Sequence, residues 1–483
     1  MNYKMVFYIL GRVFGATGAL MAIPLVCAII YRESVVPFII PMAICLLFGI
    51  LLTHRMPKKR DLLARESFVC VGLSWILISL VGCLPFILSG AIPSFIDAFF
   101  ETVSGFSTTG ASVVSDVEAL GKGILLWRAL THWIGGMGVI VFLLAILPLS
   151  DLKNIRFMQV MKAEVPGPTV DKVVPKIADT ARVLYGIYIL LTFLEFVFLV
   201  FGDMNVYEAL NHSLATAGTG GFGIKNDSLA GYSAYSQYVV AVFMLIFGTN
   251  FNVFFLILTG HFFRAIKSEE LWWYFGIVAS SVMVIALSVS SISSSSEESF
   301  RLALFQVASI ISTTGFATAD FAVWPVLSQA IIVLLMFSGA CAGCTCGGIK
   351  ISRILLLAKN AKREIKYILH PRMVKSVKLE GRTVDHETIR GTTSFIIIYA
   401  GLLIMSALAV IAIEGCDLVT GFTSVVSAIN NIGPGLSEIG PTANFGGFSV
   451  ISKLILCFDM LAGRLELFSI LILFSPSTWK KSF

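Results

Sequence analysis

The chain has 483 residues, of which 57% are hydrophobic and 13% charged, whereas soluble globular proteins carry about 25% charged residues. Mean hydropathy is +0.89. These values exclude a soluble enzyme, a disordered protein and a disulfide-stapled secreted domain, and they indicate a polytopic membrane protein. The nine cysteines are an odd number and imply no disulfide framework. The net charge of +6 is not read as a nucleic-acid signal, and no nucleic-acid partner is expected.

Ten stretches are long and apolar enough to cross a bilayer, which takes about 20 residues. The loops between them alternate in charge, so the basic loops and both termini are predicted to be cytoplasmic. The opposite loops are acid-rich, which could concentrate cations outside or could reflect positive-inside sorting alone. The first stretch is predicted to be an uncleaved span, because further spans follow it at once. The ten stretches are 6–31, 35–53, 67–89, 124–148, 182–202, 237–263, 271–293, 325–358, 389–414 and 449–474.

Four further apolar segments are too short to cross, and all lie on the acid-rich side. Each ends in a turn of small residues that contains a glycine. When the four glycines are aligned, alanine or glycine stands twelve positions earlier and phenylalanine or leucine eleven positions earlier. The short segments are 97–107, 206–217, 300–312 and 418–429, and the aligned glycines are Gly110, Gly221, Gly315 and Gly433.

This register predicts a unit of span, short helix, turn and span that occurs four times. Because each unit has two spans, successive units enter the membrane in the same orientation and can surround one axis. The predicted fold is therefore an all-α polytopic membrane protein, with two N-terminal spans followed by four pseudo-fourfold-related repeats around a central pore. The predicted parts are 1–66 for the N-terminal pair and 67–150, 151–264, 265–388 and 389–483 for the repeats.

The chemistry of the four turns favours a monovalent cation. Each short helix would point the negative end of its dipole at the axis, and rings of backbone carbonyls replace the hydration shell of potassium in known filters. The turns carry small polar side chains and no charge, whereas carboxylate rings suit other cations and basic rings suit anions. For a single turn, a glycine helix cap beside a loop would explain the pattern equally well. Four copies in register make that alternative weaker.

Several motifs resemble the membrane subunit of bacterial Trk potassium uptake systems, the TrkH/TrkG type of the Trk/Ktr/HKT superfamily. Beside the turns, they are His132-Trp133-Ile134-Gly135-Gly136-Met137-Gly138, Gly347-Gly348-Ile349-Lys350 and Gly463-Arg464-Leu465-Glu466. The resemblance implies potassium as the transported ion, no organic cofactor, and a multi-pass protein of the bacterial inner membrane. It also implies a homodimer and a cytosolic nucleotide-binding regulatory subunit of the TrkA type. The filter residues that it implies are Thr108, Thr109, Gly110, Thr219, Gly220, Gly221, Thr313, Thr314, Gly315, Asn431, Ile432 and Gly433.

The stretch 325–358 contains so many small residues at 338–348 that an undistorted helix is not expected there. The resemblance implies that this break is an intramembrane gate loop below the filter. Close packing of small residues between helices is the alternative. In the family the arginine corresponding to Arg464 faces the pore and contacts the loop; an ion pair with Asp459 or Glu466 is the alternative role. The predicted gate residues are Gly339, Gly343, Gly347, Gly348, Lys350 and Arg464.

Cys344 and Cys346 depart from the family pattern, in which serine and glycine are more frequent. Together with Cys341 they could form a metal site, but no histidine or fourth thiolate is evident nearby. Altered stiffness of the loop or sensitivity to thiol reagents is the favoured interpretation.

The basic stretch 359–390 could bind anionic membrane lipid or dock a regulatory subunit, although positive-inside sorting explains much of it. The function predicted overall is channel-like potassium uptake driven by the membrane potential. A proton- or sodium-coupled potassium symporter is the alternative. An enzyme is not expected, because no catalytic dyad, zinc motif or nucleotide loop is present in the sequence.

Overall fold

The computed structural model describes residues 1–55, 57, 64–138, 177–372 and 376–479. Regular structure in these residues is helical, apart from one antiparallel hairpin of β1 (Lys378–Leu379) and β2 (Arg382–Thr383). The helices are α1 (Tyr3–Leu20), α2 (Ala22–Ile30), α3 (Val36–Thr53), α4 (Ala64–Gly82), α5 (Leu84–Leu88), α6 (Phe95–Phe106), α7 (Lys122–Gly136), α8 (Ile177–Val200), α9 (Val206–Gly218), α10 (Ala234–Phe247), α11 (Phe251–Leu258), α12 (Phe262–Ile266), α13 (Glu269–Val289), α14 (Ser296–Ile311), α15 (Val326–Ser338), α16 (Ile351–Leu369), α17 (His386–Glu414), α18 (Leu418–Ile429), α19 (Val450–Arg464), α20 (Phe468–Phe474) and α21 (Pro476–Trp479). Single 3-10 turns occur at Phe321–Val323 and Ser437–Ile439.

Six continuous helical segments in the described part of the chain are long and apolar enough to cross a membrane. They coincide with six of the ten predicted stretches, so the prediction of a mostly helical polytopic membrane protein is confirmed. The second half of the stretch 124–148 lies outside the described residues, as do most of the basic loop that follows it and Lys480 and Lys481. The six segments are Tyr3–Ile30, Val36–Thr53, Arg65–Leu88, Arg182–Val200, Glu269–Val289 and His386–Glu414.

The first two spans pack as a tight antiparallel pair. A Cβ atom on Gly49 would lie 3.0 Å from the Cα of Gly15, and one on Gly18 would lie 2.9 Å from the Cβ of Cys45. Small residues at such contacts let helix backbones approach closely in a membrane, where lipid removes the hydrophobic drive between helices.

The four predicted short helices are present as α6, α9, α14 and α18, and their inner ends are buried. Each begins at a residue whose side chain accepts a hydrogen bond from the backbone N–H three positions later, which fixes the helix start. The four capping residues are Ser94, Asn205, Ser295 and Asp417. Hydrogen bonds from the Thr420 side chain, and then from backbone amides, hold the pKa of the Asp417 carboxyl below its ordinary value. Asp417 is therefore ionised at neutral pH. Its negative charge interacts favourably with the positive, N-terminal end of the α18 dipole.

The helices that follow the second, third and fourth turns are broken, although a break was predicted only in the stretch 325–358. The helix pair α10 and α11 bends by 90° after Phe247. The helix α15 ends at Ser338 and helical structure resumes at Ile351, while α19 ends at Arg464 and α20 begins at Phe468. The predicted stretches 237–263 and 449–474 are therefore not single continuous helices. Hydropathy over a span-length window does not reveal such breaks, because the few polar residues at them, such as Asn250, Arg464 and Glu466, stand among many apolar ones.

Two acids that the sequence suggested were outer-loop charges are instead paired. Glu101 lies within α6, is fully buried, and forms an ion pair with Arg128 at 2.7 Å. Asp97 pairs with Lys453 of α19 at 2.6 Å. These two acids therefore tie the first short helix to neighbouring helices instead of adding free negative charge to an outer surface.

Candidate ion pathway

The four short helices end in the same backbone motif. One or two positions after the end of each helix, a residue has a positive φ of 53–57°, and its N–H donates to the carbonyl three residues earlier. The next N–H donates to the carbonyl five residues earlier, at 2.8–2.9 Å. This is the Schellman cap, here with threonine or asparagine where glycine is usual. The positive-φ residues are Thr108, Thr219, Thr313 and Asn431, and the donors of the longer-range bonds are Thr109, Gly220, Thr314 and Ile432.

Two residues after each of these positions, the aligned glycine also has a positive φ. The four φ values are 81° for Gly110, 80° for Gly221, 89° for Gly315 and 102° for Gly433. Side chains are strained in this region of backbone space, so glycine is required. The four positions aligned from the sequence therefore also share one backbone conformation.

Each glycine packs against the turn of the following unit, and the fourth packs against the first. A Cβ atom on any of them would collide with a backbone carbonyl oxygen of that neighbouring turn. The contacts, with the distance from the hypothetical Cβ to the oxygen, are Gly110 to Gly220 (2.1 Å), Gly221 to Thr314 (2.1 Å), Gly315 to Ile432 (2.0 Å) and Gly433 to Thr109 (2.7 Å). The cycle of contacts closes, so the twelve predicted filter residues are brought together.

Hydrogen bonds between hydroxyl and amide side chains stabilise the turns. The hydroxyls of Ser107 and Thr109 are 2.7 Å apart, and those of Ser312 and Thr314 repeat this distance. Asn431 Nδ2 donates to Thr109 Oγ1 at 3.0 Å and links the fourth turn to the first. These bonds hold the side chains to one another, whereas Thr108 Oγ1 and Asn431 Oδ1 are buried without a hydrogen-bond partner among the described residues.

The motif around His132 supports the second turn. His132 is fully buried, with Nδ1 2.8 Å from the Gly105 carbonyl, and Nε2 accepts from the Phe222 N–H at 3.3 Å. A Cβ atom on Gly220 would lie 2.1 Å from the imidazole ring. The histidine therefore connects the end of the first short helix to the second turn as a hydrogen-bonding residue.

The predicted break between α15 and α16 is a twelve-residue loop, 339–350, which we call the interruption loop. Gly339, Gly343 and Gly348 have positive φ values in it. The Gly347 N–H donates to Thr313 Oγ1 at 2.8 Å, and a Cβ atom on Gly347 would lie 2.6 Å from the Asn430 carbonyl. The loop is therefore packed directly against the third and fourth turns.

Arg464 reaches the interruption loop from the end of α19. Its guanidinium donates to the Thr345 carbonyl at 2.5 Å and to the carbonyls of Gly135 and Gly136 at the end of α7. The acids proposed as alternative partners have other contacts: Glu466 pairs with Arg353, and Asp459 accepts from the hydroxyl of Ser406. Arg464 thus joins the ends of α7 and α19 to the loop.

Lys350 lies buried at the end of the interruption loop. It is 6% exposed, and Nζ donates back to the carbonyls of Cys346 and Gly347. Loop carbonyls that no helix satisfies need donors when they are buried, and the lysine supplies them. The side chain therefore closes the loop onto itself.

Glu270, near the start of α13, is the main residue at this site that sequence reasoning missed. Its Oε1 accepts from the Ala342 N–H at 2.8 Å and from the Ser352 N–H at 3.0 Å, one on each side of the interruption loop. The carboxylate of Glu380 in the β1–β2 turn accepts in turn from the N–H groups of Glu269 and Glu270. The sequence signal for this residue was a carboxylate at the edge of an apolar span. Its hydrogen-bond partners could not be identified from the sequence, because they are 72 and 82 residues away along the chain.

The cysteines of the interruption loop do not form a metal centre. Among the described residues, no group of three or more histidine, cysteine, aspartate or glutamate side chains is placed to hold a metal ion. Cys341 and Cys346 are buried, and Cys344 is partly exposed. The metal interpretation of their spacing is therefore wrong, because the three thiols do not converge with a further ligand.

Taken together, the fold and the site define a polytopic helical membrane protein in which four buried half-helices aim their carboxyl ends at one another. A family model described as "TrkH: Cation transport protein" matches residues 36–481. The chain belongs to this family, which confirms the resemblance seen in the motifs. Its family is one of transport proteins and not of enzymes.

The similarity to individual relatives extends over the full chain. The Trk system potassium uptake protein TrkH of Escherichia coli K12 is 37% identical over 490 residues, covering 100% of both chains. TrkG of the same organism is 34% identical over 465 residues, covering 95% of this chain and 94% of the relative. The crystal structure of the potassium transporter TrkH from Vibrio parahaemolyticus matches with a TM-score of 0.88 at 32% identity, covering 99% of this chain and 100% of that one.

Proposed function

We propose that this chain takes up potassium through a pore lined by the four turns. The closed cycle of contacts between glycines and neighbouring carbonyls carries the proposal, because it brings four sets of backbone oxygens around one centre. Such oxygens replace the water shell of a potassium ion at little cost, whereas a smaller sodium ion is held less well by a ring of this kind. The names of the relatives, which describe potassium uptake, agree with this.

The repeat organisation is part of the proposal. Four units, 67–150, 151–264, 265–388 and 389–483, each contribute one short helix and one turn, after an N-terminal pair in 1–66. The shared caps and positive-φ positions of the four turns support it. The four helix carboxyl ends place partial negative charge near the centre, which favours a cation there.

The interruption loop is the proposed gate, with Gly339, Gly343, Gly347, Gly348, Lys350 and Arg464 as its working residues. Packing of the loop against the third and fourth turns supports this role, since an ion leaving the proposed filter would have to pass the loop. Arg464 adds a positive charge to this obstruction and holds it through the Thr345 carbonyl. Glycine-rich segments can hinge between alternative loop conformations, so release of these bonds would open the path.

Uptake is proposed to be channel-like and driven by the membrane potential. A proton- or sodium-coupled symporter is the second candidate, and one observation favours it. Glu195 of α8 is fully buried, and Thr216 of α9 is a polar side chain beside its carboxyl group. Reversal potentials in a planar bilayer separate the two mechanisms: a channel follows the potassium gradient alone, whereas a symporter shifts with pH or sodium.

The cellular arrangement is proposed by extension from the family. The chain is placed in the bacterial inner membrane with both termini in the cytoplasm, as a homodimer with a nucleotide-binding subunit of the TrkA type. The basic face of α16 and the hairpin after it are the surfaces offered to that subunit or to anionic lipid, since lysine and arginine dominate 359–390.

Growth rescue tests the function as a whole. A bacterium lacking its potassium uptake systems is transformed with the chain and its cognate partner and grown at low external potassium. We expect growth that is lost with Gly315→Asp, which puts a carboxylate beside the Ile432 carbonyl. Absence of rescue, with the protein present in the membrane and the partner expressed, would argue against potassium uptake.

A further inference from the structure

We propose that Cys344 is a modification site for small anionic disulfides, and that the adduct loosens the interruption loop. The site goes beyond the transport function itself. Only the consequence for the loop rests on the proposed gate.

The first observation is the selective access of one thiol in a group of three. Cys341 and Cys346 are buried, whereas Cys344 between them is partly exposed and follows the exposed Gly343. A reagent can therefore reach one sulfur and not its two neighbours. A fully buried cysteine is inert towards reagents in solution, so exposure decides which of the three thiols reacts.

The second observation is the pair of cations beside this thiol. Lys350 Nζ lies 3.8 Å from Cys344 Sγ, and the Arg464 guanidinium holds the carbonyl of the adjoining Thr345. An ammonium group next to a thiol favours the thiolate, which is the reacting species. Two cations also attract an anionic reagent and oppose a cationic one.

The reaction is a thiol–disulfide exchange that needs no further oxidant. The Cys344 thiolate attacks one sulfur of the small disulfide, and a new S–S bond forms as the original S–S bond breaks. The other half of the reagent leaves as a thiolate. A reducing thiol reverses the reaction by the same exchange.

The adduct would act on the loop through Lys350. In the unmodified chain Lys350 donates to the carbonyls of Cys346 and Gly347 and so closes the loop. An anionic group attached to Cys344 competes for this ammonium, because a charge-assisted bond is stronger than one to a neutral carbonyl. The loop then loses the donor that satisfies two of its carbonyls.

Labelling of the purified full-length protein in detergent tests the site without relying on transport. The probe is 2-sulfonatoethyl methanethiosulfonate, from which the thiolate displaces methanesulfinate, and the cationic 2-aminoethyl reagent is its matched partner. We expect one adduct per chain, assigned to Cys344 by fragmentation of the peptide that contains the loop, and none in Cys344→Ser. Cys341→Ser and Cys346→Ser keep it. All cysteines react once the protein is denatured, which shows that the reagent is competent.

The role of Lys350 is tested by rates. Relative to a simple free thiol, Cys344 should prefer the anionic reagent over the cationic one, and Lys350→Met should slow the anionic reaction about tenfold. Adducts at Cys341 or Cys346 in place of Cys344, or equal rates with and without Lys350, would overturn the proposal.

Ion flux tests the consequence for the loop. After labelling, rubidium flux into proteoliposomes should rise at least twofold and return to its starting value with dithiothreitol, and Cys344→Ser should show no response. Labelling with unchanged flux would keep the modification site and overturn its effect on the gate. Flux that is absent before labelling would instead contradict the proposed transport function.

Discussion

At the scale of single residues, two independent constraints require glycine at the four aligned positions. Their φ values of 80–102° disfavour any side chain, and a carbonyl of the next turn fills the space of a Cβ atom. The occurrence of threonine and asparagine at the preceding positive-φ positions is less easily explained, because glycine is the usual residue in such a helix cap. At Thr109 and Thr314, by contrast, the hydroxyls are bonded to the helix ends.

Gly221→Ala should abolish selective flux. The new methyl group would meet the Thr314 carbonyl at about 2.1 Å and force two turns apart. We expect rubidium flux in proteoliposomes to fall more than about tenfold, since ion coordination depends on carbonyl positions. Gly186→Ala is the matched control, because a Cβ atom there has no neighbour within 4 Å. Equal flux in both variants would contradict the placement of Gly221 in the pathway.

Arg464→Met should raise flux by releasing the loop. The substitution removes charge-assisted bonds to the carbonyls of Thr345, Gly135 and Gly136. Loss of about 1 kcal/mol from the closed state is enough to raise the open population about fivefold. Single-channel open probability is the measurement, and Arg363→Met on the exposed part of α16 is the control. An open probability that stays constant or falls would show that Arg464 does not hold the gate closed.

At the scale of elements, the site is formed largely by the ends of interrupted helices. The breaks after Phe247, Ser338 and Arg464 expose backbone groups inside the protein, and side chains from distant elements satisfy them. Glu270 does this for both sides of the interruption loop, and Glu380 in the hairpin binds the N-terminus of α13. The hairpin and the loop are therefore connected through the first turn of one helix.

Glu270→Ala should loosen the interruption loop, whereas Glu270→Gln should preserve it. Alanine removes the acceptor for the Ala342 and Ser352 N–H groups, and the glutamine carbonyl can still accept both. Hydrogen exchange of the loop amides is the measurement, with protection reduced about tenfold or more in the alanine variant. Glu269→Ala, whose side chain is half-exposed and pairs with Lys359, is the control. Equal protection in the two Glu270 variants would remove the role assigned to this carboxylate.

At the scale of the whole molecule, one central assembly unites parts of the sequence that are far apart. The bond between Asn431 and Thr109 joins residues 322 positions apart, and Arg464 reaches across 329 positions to Gly135. The buried ion pair of Glu101 with Arg128 links α6 to α7 beside this assembly. Ions that bind at the centre should therefore stabilise the entire fold.

Potassium should raise the thermal unfolding temperature of the detergent-solubilised protein by several degrees relative to sodium or choline at equal ionic strength. A ligand at a hundred times its dissociation constant contributes about 2.7 kcal/mol to the folded state. The effect should disappear in Gly221→Ala and persist in Gly186→Ala. A shift of the same size with sodium would contradict a potassium-selective centre.

The sequence by itself determined the membrane class, most spans, the four short helices and the register of the four glycines. These features are encoded locally: hydropathy sets a span, a cap residue starts a helix, and a positive φ selects glycine within one turn. Only the tertiary structure decided the closed order of contacts among the turns, the additional helix breaks, the inward fold of Lys350 and the role of Glu270. Those features depend on which carbonyls are left without a helical partner and on which distant donor or acceptor packs beside them. No pattern within a few residues of either partner records that pairing.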